Sequence, residues 1–224
     1  MNLLWDKIRH SVGLGLDLLY PPRCGGCGAA GQGWWCRSCA AGEAPLGPAG
    51  ITRARLEDGR PLLEIAWARF APPLREGIHA LKYGGSPQLA GPFGERMARA
   101  WRAGAADWAA DLIAPVPLHA ARQRERGYNQ SERLAVVVAR IIGCPLERTA
   151  LTRQRATAQQ AQLDRDARQA NVAGAFAARP DRVTRRRVLV IDDVYTTGAT
   201  LRACADALYA AGAAEVAALT LARA

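Results

Sequence analysis

Apolar positions along the first half of the chain change from a strand-like to a helix-like spacing. Residues 62–70 form a nearly continuous apolar run, which predicts a strand. Residues 73–82 and 87–102 place apolar side chains three or four positions apart, the spacing of a helix with one buried face. Gly84 and Gly85 separate these two segments and indicate a turn between them.

From residue 111 onward, the pattern alternates between strand and helix. It predicts strands at 112–116, 188–191 and 216–221 and helices at 134–142 and 201–211. Glycine follows both helices, as is common at a helix end. This alternation predicts an α/β fold with a parallel sheet covered by helices on both faces, and such sheets bind ligands at the carboxyl ends of their strands.

The first 54 residues lack this alternation and predict a different organisation. Residues 1–22 have the pattern of an amphipathic helix, residues 23–44 contain four closely spaced cysteines, and residues 41–50 resemble a linker rich in alanine, glycine and proline. We therefore expect an N-terminal helix, a small cysteine module and one larger domain at 55–224.

Composition indicates a folded protein, and the N-terminal helix does not have the character of a membrane span. Half of the 224 residues are hydrophobic and 22% are charged. Charged residues interrupt the apolar residues of the first helix, and no apolar run approaches the roughly 18 to 20 residues that a spanning helix needs. We expect a cytoplasmic protein, with membrane-surface binding of the first helix as the alternative.

The formal charge of +10 is concentrated in one part of the chain. Between Pro115 and Arg187 there are 15 arginines and six acidic residues. A basic segment of this kind favours phosphate-rich partners, either nucleic acid or a polyphosphorylated small molecule. The alternative is a solvated surface in a protein whose composition favours arginine over lysine.

One segment combines a buried strand, two adjacent carboxylates and a small hydroxylated turn. Asp192 and Asp193 follow the aliphatic residues 188–191, and residues 196–200 then open a helix. Unpaired backbone N–H groups at a helix start hold anions, and a glycine permits close approach. This turn is a candidate cradle for a monophosphate, formed by the residues Thr196, Thr197, Gly198, Ala199 and Thr200. The two carboxylates are candidates for binding vicinal sugar hydroxyls and for facing a ligand that carries Mg²⁺.

Four cysteines near the N-terminus form two Cys-x-x-Cys pairs separated by eight residues, namely Cys24, Cys27, Cys36 and Cys39. Four thiolates can complete a tetrahedron around Zn²⁺, and a module this small needs a metal or disulfides in order to fold. Zinc is favoured because nothing in the sequence indicates an oxidising compartment. Trp34 and Trp35 are expected to pack the module, with stacking on nucleic-acid bases as the alternative. Cys144 and Cys204 are expected to be buried apolar residues.

The segment around Asp192 resembles the PRPP-binding signature of type I phosphoribosyltransferases. Together with the cysteine pairs and the motifs Leu-Lys-Tyr-Gly at 81–84, Pro-Val-Pro-Leu at 115–118 and Arg-Gly-Tyr-Asn-Gln-Ser at 126–131, the chain resembles the ComF family over nearly its whole length. That family is associated with competence for natural transformation. The resemblance implies a phosphoribosyltransferase fold, binding of PRPP or a ribose phosphate with Mg²⁺, binding of single-stranded DNA, and protein partners in the competence machinery.

The resemblance also implies roles for residues outside the signature. The diphosphate side of the ligand would face Arg122, Arg124, Arg126 and Asn129. A mobile flap would contain Arg153, Gln160 and Arg168, with a charged surface helix as the alternative. If the protein is catalytic, Asp192 and Asp193 would bind the ribose during transfer of a 5-phosphoribosyl group. The alternatives are a DNA-binding competence accessory without turnover and a PRPP-sensing regulator.

Overall fold

The computed structural model describes residues 21–155 and 174–224. Most of the predicted N-terminal helix, together with Gln160 and Arg168 of the predicted flap, lies outside the described residues. The described chain forms two compact units, and neither is continuous in sequence. The smaller contains residues 21–43 and Pro72–Leu89, and the larger contains Ala44–Ala71 and Ala90–Ala224.

The smaller unit combines the cysteine segment with the first predicted helix of the apolar pattern. It contains α1 (Arg37–Ala41), α2 (Leu74–Tyr83) and a 3-10 turn at Pro87–Leu89. The two segments pack closely, since a Cβ atom on Gly25 would lie 2.5 Å from Cδ1 of Leu89. A side chain at Gly25 would therefore displace Leu89, which is fully buried.

The larger unit is built on a five-stranded mixed sheet of order β1-β2-β7-β6-β3. The strands of the unit are β1 (Ile51–Arg55), β2 (Pro61–Arg69), β3 (Leu112–Pro115), β4 (Leu151–Arg153), β5 (Phe176–Ala178), β6 (Arg187–Tyr195) and β7 (Glu215–Arg223). Neighbouring strands from β2 to β3 are parallel, and β1 pairs antiparallel with β2 at the edge. The predicted parallel sheet is confirmed, with one antiparallel strand added.

Helices cover both faces of this sheet, as predicted. The helices of the larger unit are α3 (Ala90–Gly104), α4 (Ala120–Arg126), α5 (Gln130–Ile142), α6 (Pro180–Val183) and α7 (Ala199–Ala210). Helices α3 and α5 pack together and against the strands, whereas α7 packs with a separate set of buried residues that includes Val188, Val190 and Val216. Alternate side chains of each strand thus enter different cores. No helix within residues 21–155 and 174–224 combines the length and the apolar character that crossing a membrane requires.

Three short strands among the described residues were not predicted by the apolar pattern. Strand β1 begins directly after the segment interpreted as a linker, and β4 pairs with β5 in a second, two-stranded sheet. These strands have five, three and three residues. Segments so short carry too few positions for alternation to be recognised, and they form because a partner strand supplies their hydrogen bonds.

Candidate functional site

The predicted phosphate cradle lies between the end of β6 and the start of α7. Gly198 adopts φ +78° and is the N-cap of α7, with no side-chain hydrogen bond capping the helix. Most residues avoid this left-handed conformation because of their Cβ atom, which explains the glycine. Gly198 and Ala199 are buried, Thr197 and Thr200 are half-buried, and Thr196 is exposed. A helix start of this kind directs backbone N–H groups at an anion.

The acidic pair lies on β6 immediately before the cradle, and both carboxylates are buried, with 9% of Asp192 and 3% of Asp193 exposed. The hydroxyl of Ser131 donates a hydrogen bond to Oδ1 of Asp192 at 2.7 Å, and the backbone N–H of Asp193 donates to the same oxygen at 2.9 Å. Asp192 therefore ties β6 to the first turn of α5, in addition to any role toward a ligand.

The predicted diphosphate side is formed by α4 and the start of α5. Asn129 is the N-cap of α5: its Oδ1 accepts from the backbone N–H of Ser131 at 3.0 Å, and its Nδ2 donates to the carbonyl of Val116 at 3.0 Å. The side chain thus fastens α5 to the chain just after β3. Arg126 donates to Oε1 of Gln130. The arginines 122, 124 and 126 all lie on α4.

Arg153, at the end of β4, approaches this site from another part of the chain. Burial lowers the pKa of its guanidinium, the nearby Arg122 lowers that pKa further, and Asp192 raises it. Arg153 also lies 5.3 Å from the centroid of the Phe176 ring. The fold therefore brings Arg122, Arg153 and Asp192 into one neighbourhood although they are far apart in sequence.

Ser131 is the site residue whose role sequence reasoning missed. It is fully buried, and its hydroxyl holds an acidic residue 61 positions away. The available signal was its place in the Arg-Gly-Tyr-Asn-Gln-Ser motif, which was interpreted only through its arginine and asparagine.

The four predicted metal-binding cysteines lie together in the smaller unit. Their Sγ atoms all lie within 4.8 Å of one another, and three of the four residues are buried. The backbone N–H of Cys36 donates to Sγ of Cys24 at 3.3 Å, and that of Cys39 donates to Sγ of Cys36 at 3.4 Å. N–H donors directed at sulfur stabilise thiolates, so this cluster can hold a metal ion.

The titration of these thiols is consistent with such a site. Burial opposes ionisation of Cys24, but hydrogen bonds from the backbone of Cys36, Cys27 and Gly26 lower the pKa of its thiol to about 6. Burial and the neighbouring cysteines raise the pKa of Cys39. Ionisation of one thiol in the cluster disfavours ionisation of its neighbours, because the negative charges repel each other. A cation bound among the four sulfur atoms would relieve this repulsion.

Trp35 belongs to the small core of this cluster. Its ring packs against the buried cysteines, and its indole N–H donates to Oε1 of Glu43 at 2.7 Å. The packing role expected for this tryptophan is confirmed. Cys144 and Cys204 are both buried and lie outside the cluster, also as expected.

Comparison with known proteins gives consistent relatives. Residues 129–224 match the family model described as "Phosphoribosyl transferase domain". The chain is 35% identical over 156 residues to "DNA utilization protein YhgH" of Escherichia coli, covering 68% of each chain. It is 36% identical over 116 residues to "Competence protein F" of Haemophilus influenzae, covering 51% of each. It is 33% identical over 113 residues to "Competence protein ComFC" of Bacillus subtilis, covering 50% of this chain and 44% of that protein.

Among solved structures, the chain resembles glutamine PRPP amidotransferase from B. subtilis with a TM-score of 0.40 and 24% identity, over 60% of this chain and 26% of that one. A likeness at this level carries no argument. The sequence relatives and the matched domain show the family: the chain belongs to the ComF family of phosphoribosyltransferase-like proteins, which includes YhgH and ComFC.

Proposed function

We propose that this protein binds PRPP or ribose 5-phosphate together with Mg²⁺, and that it also binds single-stranded DNA in DNA uptake or use in the cytoplasm. The first part rests on two features that follow each other at the carboxyl end of β6. A buried acidic pair on β6 is followed by the start of α7, whose N-cap makes no side-chain hydrogen bond. The names of its relatives, which refer to competence and to DNA utilization, support the second part.

The cradle and the acidic pair would divide the sugar phosphate between them. The backbone N–H groups and hydroxyls of residues 196–200 would bind the 5'-phosphate, because they carry partial positive charge at the helix start. Asp193 and Asp192 would accept hydrogen bonds from the ribose hydroxyls. Asp192 already accepts two hydrogen bonds through Oδ1, which fixes its orientation before a ligand arrives.

The arginines around α4 would bind the diphosphate of PRPP. Arg122 lies close enough to Arg153 to lower the pKa of the Arg153 guanidinium, and a bound anion would relieve that repulsion. Mg²⁺ bound to the ligand would neutralise further charge on the diphosphate and make it a better leaving group. Phosphoribosyl transfer is the reaction that this arrangement would perform, with the acceptor supplied by another molecule.

The four cysteines would hold a structural Zn²⁺. All four ligands come from the protein, which leaves no open position for a reacting water. The proposed zinc therefore stabilises the smaller unit and takes no part in the chemistry at the cradle.

Calorimetric titration of PRPP with Mg²⁺ tests the ligand site. We expect binding by the wild type, loss of binding by an Asp192→Asn, Asp193→Asn double variant, and unchanged binding by Asp107→Asn, which alters an exposed acidic residue outside the site. Circular dichroism confirms that each variant is folded. Absence of PRPP binding by the wild type would overturn the proposal.

Fluorescence anisotropy with a labelled oligothymidylate tests the DNA part. We expect the logarithm of the affinity to fall linearly with the logarithm of salt concentration, with a slope of about −0.7 per neutralised phosphate. A single strand that fails to bind at low salt would contradict this part while leaving the PRPP proposal intact.

A ligand-binding protein without turnover is the second candidate function. It is favoured by the hydrogen bonds that Asp192 and Asn129 already make within the protein. Asp192 bonds to Ser131 and so connects β6 to α5, and Asn129 bonds to the carbonyl of Val116 and so connects α5 to the chain after β3. Measuring diphosphate release from PRPP in the presence of free purine and pyrimidine bases separates the two. PRPP binding with no diphosphate release from PRPP in the presence of any of these bases favours this candidate.

A further inference from the structure

Glu64 is a buried acidic residue that the proposed function does not use. It lies in the middle of β2, and only 2% of it is exposed. Its Oε1 atom is buried without a hydrogen-bond partner among the described residues. A buried carboxylate is costly unless charges or donors compensate for it, so its position in the sheet requires an explanation.

Three charged or polar side chains face Glu64 from neighbouring elements. Burial raises the pKa of the Glu64 carboxyl, whereas Arg202 of α7, Arg223 of β7 and the hydroxyl of Tyr195 on β6 lower it. Arg223 also donates to Oγ1 of Thr52 at 3.0 Å, and Thr52 is the register partner of Glu64 across β1 and β2. The acid therefore connects elements that converge beside the phosphate cradle.

Tyr195 links this cluster to the cradle. A Cβ atom on Gly198 would lie 2.7 Å from the Tyr195 hydroxyl oxygen, so the hydroxyl rests directly against the glycine. The guanidinium of Arg223 lies 4.8 Å from the centroid of the same ring. The ring is thus held between Arg223 and the loop that begins α7.

We propose that Glu64 and Tyr195 are positioning residues for the phosphate cradle, with Glu64 orienting the Tyr195 hydroxyl and the hydroxyl fixing Gly198 in its left-handed conformation. A loop held in this way presents its N–H groups before the anion arrives, which lowers the ordering cost of binding. The benefit to ribose-phosphate affinity rests on the proposed function, whereas the ordering of the loop does not.

Hydrogen–deuterium exchange of the free protein tests the positioning directly. In Glu64→Gln and in Tyr195→Phe, we expect amides of residues 197–202 to exchange about tenfold faster or more, while amides of β3 keep their wild-type rates. Tyr195→Phe keeps the ring and removes only the hydroxyl, so it serves if Glu64→Gln fails to fold. Glu57→Gln, an exposed acidic residue in the turn between β1 and β2, is the matched control and should leave the loop unchanged.

The double variant and a ligand titration complete the test. If the two residues act as one unit, the loop amides of the double variant Glu64→Gln, Tyr195→Phe should exchange no faster than those of the more affected single variant. Wild-type exchange in the loop of both single variants would overturn the proposal. Ribose 5-phosphate is titrated in parallel, with a loss of affinity of about tenfold expected in each variant. Faster loop exchange in a protein whose wild type does not bind ribose 5-phosphate would support the positioning and count against the proposed function.

Discussion

At the scale of single residues, the candidate site depends on polar side chains with two roles. Asp192, which we propose binds the ligand, also accepts the hydrogen bond from the Ser131 hydroxyl that anchors α5. Asn129 caps that helix and holds the chain after β3. Glu132, three residues after Asn129, pairs with Arg148 at 2.7 Å. Substituting such residues should affect both stability and binding.

Replacing Ser131 with alanine should destabilise the larger unit. The substitution removes the hydrogen bond that the Ser131 hydroxyl donates to Oδ1 of the buried Asp192 carboxylate. We expect the free energy of unfolding to fall by about 1–3 kcal/mol, measured by urea denaturation. Ser86→Ala is the control, since it removes only an exposed hydrogen bond to the carbonyl of Gly84. An equal effect of the two substitutions would contradict the anchoring role.

Gly198→Ala tests how tightly the cradle is packed. Alanine at this position would be strained at φ +78°, and its Cβ would also meet the Tyr195 hydroxyl. Gly143→Ala is a matched control because Gly143 has φ +73° with nothing within 4 Å of an added Cβ. We expect Gly198→Ala to cost about 1–3 kcal/mol more than the control, measured by urea denaturation. Equal losses of unfolding free energy in the two variants would mean that the loop moves to accommodate the added methyl group, which would contradict tight packing of the cradle.

At the scale of elements, the cysteine cluster shows how a small segment becomes ordered. Helix α1 has only five residues, and its N-cap is Cys36, whose side chain accepts from the backbone N–H of Cys39. So short a helix is unstable by itself. Its order must come from the sulfur cluster and from packing within the smaller unit.

Cys36→Ala should abolish metal binding. Removing one of four ligands leaves an incomplete shell and a buried, unpaired set of thiols. We expect one zinc per chain in the wild type and a loss of most of it in the variant, measured by mass spectrometry of the metal. Residues 21–43 should also become sensitive to limited proteolysis.

Cys144→Ala provides the comparison, because Cys144 is buried at a distance from the cluster in sequence and is not part of it. It should retain the full metal content. Full zinc content in Cys36→Ala, or loss of zinc in Cys144→Ala, would show that the assignment of ligands is wrong.

At the scale of the whole molecule, part of the basic charge between residues 115 and 187 is paired with carboxylates. Within the described part of that segment, ion pairs with carboxylates are formed by Arg148, Arg179, Arg182 and Arg187. Such exposed pairs contribute little to stability, but they offset positive charge locally. The charge that is available to a nucleic acid therefore depends on the fold as well as on the count of arginines.

The stability of the molecule should depend on pH through Glu64. Burial raises the pKa of its carboxyl above the ordinary value of 4.5, so the folded state binds its proton more tightly than the unfolded chain does. The contribution of the Glu64 carboxyl to the free energy of unfolding is fully present below about pH 4.5. It is lost as the pH rises through the raised pKa. Thermal unfolding between pH 4 and pH 8 should therefore show a decline in the wild type that is smaller in Glu64→Gln. The exposed variant Glu57→Gln should follow the wild-type curve, and parallel curves for all three proteins would refute the assignment.

Features that depend on contiguous residues could be predicted from the amino-acid order alone. The strand at 188–191, the Asp192-Asp193 pair, the helix start after it and the two cysteine pairs are each contiguous motifs, and local spacing carries their chemistry. The α/β architecture followed from the same alternation of strands and helices. The resemblance to the ComF family implied a common role for Arg122, Arg124 and Arg126, and they lie on one short helix.

Contacts between residues that are far apart in the chain follow from the fold. The contact of Ser131 with Asp192 spans 61 positions, and Arg153 reaches the same neighbourhood from β4. Glu64 looks in the sequence like a stray charge within an apolar strand, and its relation to Tyr195 exists because β7 alone separates β2 from β6 in the sheet. Strand order is fixed by the simultaneous packing of many apolar side chains, which no single segment encodes, so these contacts could not be predicted from spacing along the chain.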